Sequence, residues 1–176
     1  DRLEDANQLS VGISSRWSNT DTGIERFRAS IGEVFYFRDR KVQLNATDPT
    51  ATASSSGLVG ELAANFTDDW TSTADALWTA DGDLSQFGLQ LHFLPNNYTQ
   101  LFNVGYSFRR EVQALNQKEL RQTNLSFVQP LNERWQLMGL WQYDLLNKET
   151  PEGLIGAGYE ACCWQISLYR RQCLAD

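Results

Sequence analysis

Gln86-Phe87-Gly88-Leu89-Gln90-Leu91-His92-Phe93, then Pro95-Asn96-Asn97, then Phe102-Asn103-Val104-Gly105-Tyr106-Ser107-Phe108-Arg109 is the stretch that decides the fold class. Phe87, Leu89, Leu91 and Phe93 alternate with Gln86, Gly88, Gln90 and His92. Past the Pro-Asn-Asn turn, Phe102, Val104, Tyr106 and Phe108 alternate with Asn103, Gly105, Ser107 and Arg109. A period of two is the strand period, because successive side chains leave opposite sides of the pleat. Two strands, one apolar face and one polar face follow.

The same unit recurs outward in both directions. Toward the N-terminus, Leu9, Val11, Ile13 and Trp17 oppose Gln8, Ser10, Gly12, Ser14 and Arg16. After the turn cluster at Asn19–Gly23 comes a run from Ile24 to Val42, longer than an ordinary soluble strand. A polar loop at Asn45–Ser56 precedes a third strand carrying Leu58, Gly60, Leu62, Ala64 and Phe66, and a fourth is expected over Trp70–Trp78. Toward the C-terminus, strands are expected over Leu120–Gln129, over Trp135–Tyr143 with Gln136 and Gln142 on the polar side, over Gly153–Glu160 and over Trp164–Arg171. The expected connections are Glu111–Glu119, Pro130–Glu133, Asn147–Pro151 and the pair Cys162-Cys163. That makes about ten strands with shorter and longer connections, and no convincing amphipathic helix.

Composition narrows the class. With 176 residues the chain is long enough for one domain or for part of a larger one. Its mean hydropathy of -0.44 reads as soluble, and no apolar run approaches the ~18 residues of a membrane helix. Barrel strands that alternate lipid-facing and water-facing residues have low averaged hydropathy too. A net charge of -7 argues against nucleic acid, whose phosphates need Lys and Arg. Six Trp, six Tyr and nine Phe suit strands and the aromatic girdles of membrane barrels. No initiating Met and no basic, then apolar, leader opens the chain, so a processed protein or a piece of a longer one is expected. A soluble β-sandwich gives the same alternation, but ten strands need somewhere to close, and a barrel closes them. The expected fold class is all-β: an antiparallel transmembrane β-barrel segment of about ten strands, part of a larger barrel.

Cys162 and Cys163 are adjacent, and the ring that would join them strains both the peptide and the disulfide. Pairing with cysteines elsewhere, in an oxidising extracytoplasmic compartment, is expected. Two reduced thiols acting as small apolar residues are the alternative. Cys173 is open either to pairing with one of them or to a role as a plain strand residue. Three Cys and one His lack metal-site spacing, and Asp68, Asp69, Asp81 and Asp83 are explained by turn chemistry. His92 has no nucleophile motif for company, so no catalytic residue, cofactor or metal is assigned. Arg16, Gln86, Gln90, His92, Asn103, Arg109, Gln136 and Gln142 are the residues expected to line the water-filled side.

The order of several motifs resembles the LptD family of outer-membrane lipopolysaccharide-assembly proteins. The run Asp1-Arg2-Leu3-Glu4-Asp5-Ala6-Asn7-Gln8-Leu9 carries it first, followed by Thr22–Arg28 and Phe35–Arg40. Leu58–Leu62 with Trp70, Gly105–Arg110 and Gly156-Ala157-Gly158-Tyr159-Glu160-Ala161-Cys162-Cys163-Trp164 continue it over almost the whole chain. The resemblance implies a Gram-negative outer-membrane location and a barrel of about twenty-six strands. Residues 1–176 would be a C-terminal portion of that barrel, incomplete at both ends. It also implies an N-terminal jellyroll, the lipoprotein plug LptE inside the lumen, and disulfides from Cys162 and Cys163 to the N-terminal region. The implied function is a barrel-wall part of the translocon that delivers lipopolysaccharide to the outer leaflet, with no chemical step. The implied partners are lipopolysaccharide, outer-membrane lipid, the remaining barrel strands and the barrel-assembly (BAM) machinery. An autonomous small outer-membrane barrel, a porin or an adhesin, is the competing function and predicts a closed ring of strands.

Overall fold

The computed structural model describes residues 7–39, 52, 54–95, 100–111 and 118–173. Asp1–Ala6 of the first motif, most of the expected loop at Asn45–Ser56 and most of the connection after Glu111 lie outside the described residues. Ten strands are described: β1 (Gln8–Ser18), β2 (Glu25–Tyr36), β3 (Ser55–Asn65), β4 (Trp70–Trp78), β5 (Leu84–Phe93), β6 (Leu101–Arg109), β7 (Leu120–Pro130), β8 (Trp135–Asp144), β9 (Glu149–Ala161) and β10 (Trp164–Cys173). Each pairs antiparallel with its sequence neighbour, giving one up-and-down sheet in the order β1 to β10. Among the described residues β1 and β10 do not pair with each other, so the sheet is open at both edges.

Strand boundaries depart from the sequence reading in several places, among them Phe66, which lies outside β3, and Pro130, which ends β7 instead of opening the turn. The long run from Ile24 ends as strand at Tyr36, before Phe37, and Ser55 and Ser56 belong to β3 rather than to the loop. The β8–β9 turn is Leu145–Lys148, so Pro151 sits inside β9 and not in the connection. Pro cannot donate to a ladder. The β8–β9 register shifts there, with Gln142 opposite Glu152 and Asp144 opposite Glu149, and the bulge accommodates the missing donor. A second irregularity lies between Glu33 and Phe35 of β2, where the Val34 amide donates instead to Ser56 Oγ at 3.0 Å.

No apolar side chain among the described residues is buried, and Leu168 and Ile13 are 79% and 73% exposed. The accessible surface is 13005 Å², against about 8,700 Å² for a compact monomer of this mass. A sheet with one bare apolar face is not a water-soluble unit. Its apolar face is uncovered and its two edges carry unpaired backbone groups.

Candidate functional site

Cross-strand pairing sorts the side chains into two faces. One unbroken row of partners runs Arg16, Arg28, Ala63, Thr73, Gln90, Gly105, Asn124, Gln142, Glu152, Cys173 across the whole sheet. The next row is Trp17, Phe27, Ala64, Ser72, Leu91, Val104, Leu125, Trp141, Gly153, Gln172. Register parity puts all eight residues expected on the polar side on the face of the first row. Gln86 pairs with Arg109, His92 with Asn103 and Gln136 with Gly158. Each row begins near the last residue of β1 and finishes near the last residue of β10, which point to opposite ends of the sheet. That stagger is strand tilt, roughly 30° from 3.3 Å per residue along a strand and 4.8 Å between strands.

The polar face is knit by side-chain hydrogen bonds. His92 Nδ1 lies 2.8 Å from Asn103 Oδ1, and its Nε2 lies 3.1 Å from Gln90 Oε1. Asn103 Nδ2 donates to Ser126 Oγ at 3.0 Å, carrying the chain of contacts onto β7, and Gln142 donates to Gln122 at 3.0 Å. His92 is half-buried and next to last in β5, with the side-chain amides of Asn103 and Gln90 at its two ring nitrogens. The like-charged partners Arg16 and Arg28 are bridged by Glu25, at 3.8 and 3.1 Å. Arg109 keeps a buried Nε without a partner among the described residues. Three glycines of this face lie under side chains of an adjacent strand: Gly88 under Asp75, Gly105 under Asn124 and Gly158 under Gln136. No group of three or more His, Cys, Asp or Glu among the described residues is placed to hold a metal.

The apolar face is bordered by aromatic residues at both strand ends. At one end Trp17 packs on Phe27, Trp70 on Phe93, and Tyr159 on both Trp135 and Trp164, with ring centroids 4.8–5.2 Å apart. Toward the other end Trp141 stacks on Tyr143 at 5.3 Å, with Trp78 in the corresponding part of β4. Trp70 and Trp78 bound β4, about 27 Å apart along the strand. Tilted, that height matches the ~25 Å apolar band between the aromatic girdles of an outer-membrane barrel.

Cys162 and Cys163 form the whole tip of the β9–β10 hairpin, since Ala161 and Trp164 are already ladder partners. Both thiols are exposed, and their Sγ atoms are 3.4 Å apart. The neighbouring turn braces the tip, Glu160 N–H donating to the Arg134 carbonyl at 2.8 Å. Residues 19–24, 66–69, 94–100 and 131–134 connect strands at this same end, and 37–54, 79–83, 110–119 and 145–148 at the other. Cys173 is at the far end of β10, about 30 Å from the tip. A disulfide spans less than about 7 Å between Cα atoms, so the expected option of Cys173 pairing with Cys162 or Cys163 is excluded.

Comparison with known proteins matches residues 1–135 to the family model described as LptD, LPS transport system D. Over its full length the chain is 40% identical to the LPS-assembly protein LptD of Acinetobacter baumannii, covering 21% of that protein. It is 38% identical to the protein of that name from Acinetobacter baylyi, again covering 21%, and 32% identical to the one from Xylella fastidiosa, covering 22%. The chain thus spans about a fifth of the length of the curated relatives it matches.

Proposed function

This chain belongs to the LptD family, and we propose that it forms part of the barrel wall through which lipopolysaccharide reaches the outer leaflet and is assembled there. The family is an outer-membrane family of Gram-negative bacteria, concerned with transport and assembly rather than catalysis. The observation that carries the proposal is the division of ten tilted strands into one polar and one aromatic-bordered apolar face. A water-filled lumen takes the first and lipid takes the second, and the open edges are continued by further strands of the same barrel. Arg16, Gln86, Gln90, His92, Asn103, Arg109, Gln136 and Gln142 then line the lumen and face the saccharide and the lipoprotein plug LptE. Leu89, Leu91, Phe93, Leu137 and Trp141 face lipid. A small closed barrel is disfavoured, because β1 and β10 would have to pair.

The connections at the double-cysteine end are the shorter set, as periplasmic turns of outer-membrane barrels are. On that orientation Cys162 and Cys163 point into the periplasm, where the N-terminal jellyroll offers partner cysteines. Residues 1–176 are the C-terminal portion of the barrel domain in this reading, with strands to come on both sides.

Photo-crosslinking in cells tests the assignment with a crosslinkable residue at Gln90 or Gln136, and at Leu89 or Leu137, of the full-length protein. Lipopolysaccharide and plug adducts are expected from the first pair and not from the second. Equal adducts from both pairs would refute the facing assignment.

A further inference from the structure

At the double-cysteine end, the polar face carries a groove of about 410 Å³ that the barrel-wall role leaves unused. Val128 and Pro130 of β7 and Gln136 of β8 line it, together with the turn residues Glu133 and Arg134 and with Glu160 of β9. All three strands lie inside the sheet, each paired on both sides. Asn132 Oδ1 fixes the turn by accepting from the Arg134 and Trp135 amides, both at 2.9 Å. The Glu160 amide donates to the Arg134 carbonyl at 2.8 Å, and Glu160 stands two residues before Cys162, so groove and cysteine tip are joined. Among the described residues the side chains of Glu133, Arg134 and Glu160 make no ion pair or hydrogen bond, which leaves the groove one negative charge in excess beside two apolar side chains.

Position supplies the occupant. A segment disulfide-bonded to Cys162 or Cys163 has its own cysteine Cα within about 7 Å of the tip. Glu160 is about 7 Å along the chain from Cys162, and an extended segment advances about 3.3 Å per residue. The residues about two to four positions from the partner cysteine therefore reach the groove. Their tether holds them at an effective concentration of about millimolar, so modest contacts are enough to seat them there.

We propose that this groove docks the cysteine-bearing segment of the full-length polypeptide that is tied to the tip, a Lys or Arg of that segment on Glu133 and Glu160 and an apolar side chain over Val128 and Pro130. The site rests on the reading that Cys162 and Cys163 are disulfide-bonded outside this chain. The test uses the full-length protein from outer membranes, with a photo-crosslinkable residue in place of Arg134 or, as a control in another turn of the same end, of Asp21. Mass spectrometry of digests is expected to find the Arg134 adduct on the peptide that carries the partner cysteine, and no such adduct from Asp21. A second readout is the dithiothreitol concentration that half-reduces the tie, followed by gel mobility. Glu133→Lys combined with Glu160→Lys is expected to lower it about fivefold, and the paired Gln substitutions about twofold, as for two exposed ion pairs. Both residues are exposed, so the folded, heat-modifiable barrel is expected at the wild-type level in either variant. An unchanged half-reduction point in the Lys variant, or an Arg134 adduct only on peptides remote from the partner cysteine, would overturn the groove and leave the tie standing. A wild-type protein whose mobility does not change on reduction sinks the tie and the groove together.

Discussion

Gln90 and Leu91 are sequence neighbours whose side chains belong to opposite rows of the sheet, one running from Arg16 to Cys173 and the other from Trp17 to Gln172. Every facing statement about this protein follows from that parity. Replacing Leu89 or Leu91 by Arg puts a charge into the apolar band and is expected to cost about 2–4 kcal/mol, while Gln90→Arg costs under about 1 kcal/mol. Urea unfolding of the full-length barrel in lipid vesicles measures the difference. Equal costs would mean that the faces are assigned the wrong way or that neither meets lipid.

Gly57 and Gly23 both adopt positive φ, 79° and 72°, but only one is hemmed in. A Cβ on Gly57 would collide with the Trp78 carbonyl oxygen, and one on Gly23 would meet nothing within 4 Å. Gly23→Ala is expected to cost about 1–2 kcal/mol, the left-handed backbone penalty alone. Gly57→Ala adds displacement of β4 and is expected to cost clearly more, read as a larger shift of the unfolding midpoint. Similar shifts for the two would remove the special role of the β3–β4 contact.

Asp144 caps the β8–β9 turn, its Oδ1 accepting from the Leu146 and Asn147 amides at 2.8 and 3.2 Å while Oδ2 accepts from Asn147 Nδ2 at 2.9 Å. Asp144→Ala removes every one of these acceptors, whereas Asp144→Asn retains the amide oxygen that makes an Asx-turn. The alanine variant is expected to lower the unfolding midpoint and the asparagine variant to restore most of it. Indistinguishable midpoints would show that the turn does not depend on this carboxylate.

A hairpin tip made of two cysteines at the shorter-connection end predicts a covalent tie to a distant part of the polypeptide. The full-length protein should change mobility on reduction, lose that change when both Cys162 and Cys163 become Ser, and keep it with Cys173→Ser. Loss of the shift in the Cys173 variant would transfer the tie to the other end of the sheet. Persistence of the shift in the double variant would show that neither tip cysteine carries it.

The alternation Phe87–Phe93 and the turn clusters were enough to place ten strands and to group Arg16 through Gln142 on one side, because the pleat is a local property of the backbone. Pro151 and Gly57 were visible in the sequence, the one closing the expected turn Asn147–Pro151 and the other just ahead of Leu58, but their meaning was hidden. Whether Pro151 ends a strand or sits in a bulge depends on which β8 amides and carbonyls lie opposite it. Cys173 was undecidable for the same reason, since pairing is a distance and β10 turned out to separate it from the tip.

By itself, then, the sequence determined element type, face and family, all of which are written in residue order. The tertiary structure alone decided the register rows and the bulges opposite Val34 and at Pro151. Those arise from hydrogen bonds and contacts between strands, which no single strand's pattern contains.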